Sequence, residues 1–368
     1  KEYDMSLILD GKTIKELQPI TELRAFDAGL KREFSFVATT AGEAEKWQAD
    51  CRERLVELLG FIRQTPYVKP EPELIEEIDR GDFIRRKILI RTSADSKMPV
   101  YLLLPKGAAA PLPVVLAYHG HGYGVKDIVG LWENGDERLV PDGYHADFAV
   151  ELCRRGMIVA APEIACFGER QNDFSSLTAG RVTNPTPTSC ENNAAWAAML
   201  GMSLLGMRVR DSLRLTDYLQ SLNEVDGNNI GAMGISGGGM MTFFHAAADP
   251  RIRSSVVSGY FCGFRESILG VHHCPCNFVP GLLKLGDISD LTGLIAPRHL
   301  MIEAGDHDCI FPIDSVKTQY EKARRAYQVW GKDANLEIDV FEGRHRIEGN
   351  RAYRFLQDSL RYDGKMQK

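Results

Sequence analysis

One segment constrains this chain more than any other. The apolar run Ile230-Gly-Ala-Met233 leads into Gly234-Ile-Ser236-Gly-Gly238 and passes at once into residues that suit a helix, Met240 to Ala248. A strand that turns into a helix through one serine needs a strained backbone at that serine. Glycines two residues to either side let neighbouring backbone pass where a Cβ would clash. Such a turn lifts the hydroxyl above the sheet, over the N-terminus of its own helix. The pattern arises by chance around about one serine in a hundred at ordinary glycine usage, so its weight comes from the strand before it and the helix after it.

The surrounding texture agrees. From about residue 86, short apolar runs alternate with helical patterns, and eight strands are expected: 87–92, 100–104, 114–118, 157–161, 230–233, 255–257, 299–303 and 336–341. The first two can pair as a hairpin. The others are separated by helical stretches over 145–155, 201–222, 314–330 and 348–360, which predicts a mostly parallel, doubly wound sheet with helices on both faces. Residues 1–85 are expected to form an N-terminal helical extension. It carries a capping box at Thr40-Ala-Gly-Glu43 and a stripe of Trp47, Cys51, Leu55, Leu58 and Leu59, and it would pack on the main domain or on a second copy of the chain. Residues 86–368 are expected to form the catalytic domain. Two connections, about 163–200 and 260–297, are too long for simple turns and are expected to wall a pocket at the carboxyl ends of the strands.

Composition narrows the function classes. The 368 residues, 44% of them hydrophobic, can bury a large core, and a net charge of -6 with both signs interspersed offers no basic patch to nucleic acid or an anionic membrane. No apolar run approaches the roughly 20 residues a bilayer span needs. A soluble protein acting on a small neutral or mildly polar substrate is the expectation. Its start at Lys1 leaves open whether it is cytoplasmic or exported.

A serine nucleophile needs a base within reach and a carboxylate to hold that base, in the chain order serine, acid, histidine. Both follow Ser236 in order. The strand ending at Glu303 runs into Gly305-Asp306-His-Asp308-Cys-Ile-Phe-Pro312, and the last strand runs into Glu342-Gly-Arg-His345-Arg346. Asp308 is favoured over Asp306 as the acid because it opens the turn entering the next helix, whereas Asp306 is placed to brace that turn. Two backbone donors are in view for an oxyanion: the N–H of Gly237 and, in the loop His119-Gly-His121-Gly-Tyr-Gly124, that of His121.

His119-x-His121 could instead be the metal pair of a metal-dependent hydrolase, but that reading leaves the elbow, the acid and the late histidine without roles. Of the eight cysteines, Cys274-Pro-Cys276 after His272-His273 is the cluster with metal-ligand character. Its spacing lacks a second cysteine or histidine pair, so neither metal nor cofactor is expected. Gly168-Glu169-Arg170 with Arg208, Arg210 and Asp211 is expected to form buried ion pairs that brace the sheet edge.

These motifs, with Val279-Pro-Gly-Leu-Leu283 and Asp290-Leu-Thr-Gly-Leu-Ile-Ala-Pro-Arg298, resemble the α/β-hydrolases of the acetyl xylan esterase and dienelactone hydrolase-like group over most of residues 80–360. The resemblance implies an α/β-hydrolase fold and a Ser236–Asp308–His345 esterase with oxyanion donors His121 and Gly237, often a carbohydrate deacetylase. A peptidase or lactone hydrolase on the same fold, or an inactive binding protein, are the other readings. Gly237 stands where many acetyl xylan esterases have Gln, and His-Gly-His where they have His-Gly-Tyr. Both departures bear on the substrate rather than on the fold.

Overall fold

The computed structural model describes residues 11–107, 109–175 and 188–360. Nine strands form one sheet: β1 Glu73–Asp79, β2 Phe83–Ser93, β3 Ser96–Pro105, β4 Leu112–Tyr118, β5 Ile158–Pro162, β6 Val225–Ile235, β7 Ile252–Ser258, β8 His299–Gly305 and β9 Leu336–Phe341, in the order β1-β2-β3-β5-β4-β6-β7-β8-β9. The α-helices are α1 Gly11–Glu16, α2 Pro19–Ala28, α3 Ala41–Leu59, α4 Phe148–Arg154, α5 Ser189–Met199, α6 Leu204–Gln220, α7 Gly237–Ala248, α8 Leu282–Leu285, α9 Ile288–Leu291, α10 Ile313–Gln328 and α11 Asn350–Ser359. Strands β1, β2, β3 and β5 pair antiparallel, and β4 to β9 run parallel. No helix among the described residues is long and apolar enough to cross a membrane.

Period-two alternation divides the core between the two faces of this sheet. Val114, Leu116 and Tyr118 of β4 face the layer that contains α3, α6, α7 and α10, whereas Val115 and Ala117 face α4 and α11. Both faces are covered, so the central strands read as continuous apolar runs rather than alternating ones.

The sheet has nine strands rather than eight. The additional one, β1, reads Glu-Leu-Ile-Glu-Glu-Ile-Asp, and nearly all of it is exposed. An edge strand with one neighbour and no buried face carries no hydrophobic period, and its charges protect the edge from pairing with other chains. Lys97 to Glu73 (2.8 Å) and Arg86 to Glu77 (2.7 Å) tie it to its neighbours. Consequently the helical part of the N-terminal region ends at Leu59, and the sheet begins inside the stretch assigned to the extension.

Within that helical part α3 is built into the core, whereas α2 buries no residue. Thr40 and Glu43 form the reciprocal cap at the start of α3. Cys51, Leu55 and Leu59 are fully buried in the same cluster as the central strands. Arg52 donates to the carbonyls of Ala247 (3.0 Å) and Leu294 (2.9 Å), and Gln48 to that of Gly293 (2.6 Å). Replacing Leu55 with Ala removes a side chain from a site with no solvent to refill it, and should lower unfolding stability by about 3 kcal/mol. Urea unfolding should keep a single transition; wild-type stability, or a separate early phase, would mean that α3 is peripheral.

Candidate active site

Ser236 joins β6 to α7 with φ 58 and ψ -120, a conformation that costs a non-glycine residue about 1–3 kcal/mol. The surrounding backbone holds it there. Its N–H donates to Ser258 O (3.1 Å), and its carbonyl accepts from Met240 N–H (2.9 Å). A Cβ on Gly238 would stand 1.9 Å from the Tyr118 carbonyl, and one on Gly234 would stand 2.5 Å from that of Gly238. Any side chain at either position would push β4 away from the turn, which is why both are glycine.

Asp308 and His345 meet beside this turn. Asp308 lies beyond the end of β8 and His345 beyond the end of β9, and His345 Nδ1 is 2.6 Å from Asp308 Oδ2. Asp308 Oδ1 accepts the N–H groups of Ile310 (2.8 Å) and Phe311 (3.2 Å). Burial works to raise the Asp308 pKa. The hydrogen bond and charge of His345, with the two backbone donors, outweigh it and hold the carboxyl below its usual value. The His345 ring stacks on Phe311 with centroids 5.7 Å apart and lies over Gly259, where a Cβ would stand 2.8 Å from Cε1. Gly259 follows Ser258, the register partner of Ile235, so the imidazole sits over the strand end next to Ser236. Its Nε2 is buried and has no hydrogen-bond partner among the described residues. Asp306 instead accepts from Gly343 N–H (2.9 Å) and pairs with His307 (2.6 Å), bracing the turn.

The loop after β4 is held from beneath. The Tyr144 hydroxyl donates to His121 O (2.6 Å), and Gly120 N–H donates to His145 Nε2 (2.8 Å). That acceptor role requires a neutral imidazole. Burial keeps the His145 pKa low, although Asp127, 2.9 Å from Nδ1, works against it. A Cβ on Gly237 would lie 3.0 Å from His121 Nδ1, so the two backbone segments adjoin. Neither the His121 nor the Gly237 N–H has an acceptor among the described residues.

His119 and His121 do not act as a pair. His119 is buried, donates from Nδ1 to Gly120 O (2.8 Å) and accepts Ile164 N–H at Nε2 (3.1 Å), so both ring nitrogens are engaged by backbone. His121 turns instead towards the connections that were expected to line a pocket. The ligand atoms of His121, Cys190, Cys274 and Cys276 lie within 4.8 Å of one another. The partners missing from the Cys274-Pro-Cys276 spacing come from the loop after β4 and from α5, which no local pattern could reveal. Residues 176–187 of the connection at 163–200 lie outside the described residues.

The expected ion pairs divide. Asp211 is buried between Arg170 (2.8 Å) and Arg210 (2.6 Å), whereas Glu169 reaches the surface and meets Lys87 (2.8 Å). Arg208, fully buried, takes no part in this network: its guanidinium donates to Ala165 O (2.9 Å) and to Cys190 Sγ (3.2 Å). Sequence reading also passed over Glu303, a charge inside the apolar strand β8 and the one local signal available for it. Glu303 is completely buried, and its carboxyl accepts from the Ser258 hydroxyl (2.7 Å) and from Gly349 N–H (2.7 Å), linking β7 to the segment that follows His345. A surface hollow of about 450 Å³ lined by His299, Glu337, Arg351, Asp358 and Ser359 lies elsewhere and includes none of Ser236, Asp308 and His345.

Residues 23–353 match the model of the Abhydrolase family. YtaP of Bacillus subtilis (strain 168), described as a hydrolase, is 28% identical over 278 residues, which cover 73% of this chain and 84% of that protein. Among solved structures, one from Bacteroides fragilis NCTC 9343 described as an acetyl xylan esterase superposes with a TM-score of 0.72 at 18% identity, covering 88% of this chain and 82% of the other. The glucuronoyl esterase from Solibacter usitatus gives 0.58 at 14% identity, covering 90% and 99%. At such identities these structures establish a shared fold.

Burial raises the Glu303 pKa to about 7 from 4.5, only partly offset by its two donors. A carboxyl whose folded pKa is raised stabilises the fold fully below its unfolded value and loses that contribution as pH rises through about 7. A shift of this size corresponds to about 3 kcal/mol. Glu303→Gln should therefore flatten the fall in melting temperature between about pH 5 and pH 8, and an unchanged slope would show that the carboxyl is already ionised in the folded chain.

Proposed function

The chain belongs to the Abhydrolase family, and from that premise we propose that it is a serine carboxylic-ester hydrolase acting on short acyl esters, acetylated carbohydrates among them. The observation that carries this reading is the pairing of His345 with Asp308 at 2.6 Å, its buried Nε2 unpartnered, over the strand end that presents Ser236 at φ 58. Esters of carbohydrates are also what the names of the acetyl xylan and glucuronoyl esterases describe.

In this reading His345 Nε2 takes the proton of the Ser236 hydroxyl as its oxygen attacks the acyl carbon. Asp308 keeps the imidazole oriented and stabilises the imidazolium. The N–H groups of His121 and Gly237 receive the oxyanion. The imidazolium then gives its proton to the departing alcohol, and water repeats the sequence on the acyl-serine to release the acid and free the hydroxyl. A fixed loop suits this work, because donors already aimed at the developing charge need no reorganisation during the reaction.

Ser236→Ala should lower kcat/KM on p-nitrophenyl acetate by on the order of 10⁴-fold with an unchanged melting temperature, and Asp308→Asn by a comparable factor. A fluorophosphonate should add once, at Ser236, by intact and peptide mass. Burst kinetics retained in Ser236→Ala would overturn the assignment. A panel of acetylated sugars and longer-chain esters, compared with lactones and peptides, identifies the acyl bond.

A further inference from the structure

The cluster beside the oxyanion loop has the composition and shape of a closed metal site, and the geometry points to a tetrahedral Cys3His site for a thiophilic divalent cation, zinc, made by His121 Nε2 and the thiolates of Cys190, Cys274 and Cys276. These ligands come from three distant parts of the chain: the loop after β4, the first turn of α5 and the connection between β7 and β8. Their ligand atoms nevertheless lie within 4.8 Å of one another. His121 Nε2 and Cys276 Sγ are 3.6 Å apart. A tetrahedral S–Zn–N angle with bonds of about 2.3 Å and 2.0 Å gives a separation of about 3.5 Å, close to this.

The buried charge next to the cluster supports the same conclusion. Arg208 is fully buried, and among the described residues no carboxylate lies within ion-pair distance of it. Its Nη2 lies 3.2 Å from Cys190 Sγ. A buried cation needs a compensating charge. Three thiolates and one neutral imidazole around a divalent ion carry a net charge of -1, which the guanidinium balances. Binding would release the protons of whichever cysteines were thiols beforehand.

Four protein ligands leave no open position, so the ion would position the loop rather than act on substrate. Through the His121 ring it would anchor the residue whose backbone N–H is assigned to the oxyanion; that consequence rests on the proposed esterase mechanism, whereas the site itself does not.

Elemental analysis of the full chain, purified under reducing conditions with zinc supplied during expression, should find about one zinc per chain. Cys190→Ala and Cys276→Ala should each fall below about 0.2, whereas Cys153→Ala, which alters a buried cysteine in the opposite layer, should keep the metal. Cobalt(II) exchanged into the site should show thiolate-to-cobalt charge transfer and the intense visible bands of a tetrahedral ion. Ser236→Ala should retain its zinc, so metal content and esterase chemistry fail independently. Less than about 0.1 zinc after reconstitution, with all eight cysteines titrating as free thiols in denaturant, would overturn the site. So would an oxidised cysteine pair in place of the metal.

Discussion

The structure turns on how closely β4 and the start of α7 approach one another. The Tyr118 carbonyl passes so near Gly238 that a single Cβ there would collide with it at 1.9 Å. This contact forces the serine between strand and helix into its left-handed conformation, and the parallel pairing of β4 with β6 and of β6 with β7 keeps it there. Strain of this kind persists only where the neighbouring structure over-determines it. Here the neighbours are fully buried strands, so the cost is spread over a core that cannot relax around one residue.

From that fixed point the other groups follow by topology. Parallel strands place all their carboxyl ends along one edge, and the segments after β4, β6, β8 and β9 supply His121, Ser236, Asp308 and His345 in turn. Each segment is then fastened separately. Tyr144 and His145 hold the first, the N–H groups of Ile310 and Phe311 hold Asp308, and Glu303 ties β7 to the segment beyond His345. Most of these fasteners are neutral or charge-assisted hydrogen bonds inside a low-dielectric interior, where a satisfied network defines one arrangement and a partly satisfied one is costly.

What could be read from the sequence reflects how each feature is encoded. Strands β4 to β9 announce themselves because both faces are buried and the apolar runs are unbroken. Strand β1 does not, since an exposed edge has no reason to carry a period. The turn at Ser236 and the positions of Asp308 and His345 after their strands were legible because chain order and position after strands are local facts. The choice between Asp306 and Asp308 was open to sequence argument but depends on which side chain the turn directs inward, and only coordinates give the 2.6 Å contact to His345. Glu303 was visible as a charge in an apolar strand, yet nothing nearby names its partners at Ser258 and Gly349.

Arg208 marks the boundary of local reading most clearly. In sequence it sits two residues from Arg210 and three from Asp211, and helical neighbours of opposite charge invite an ion-pair assignment. In the fold Asp211 is already shared by Arg170 and Arg210, and the Arg208 side chain leaves on a different face of α6. Its surroundings are a carbonyl, an aromatic ring and sulfur. A guanidinium remains charged at any pH a protein meets, and of these neighbours the sulfur is the one that can carry a compensating negative charge. The three cysteines of the proposed site gather around the ring of His121, which adjoins the elbow at Gly237. In the proposed site, the electrostatics of the buried arginine and the placement of the loop after β4 are therefore one problem.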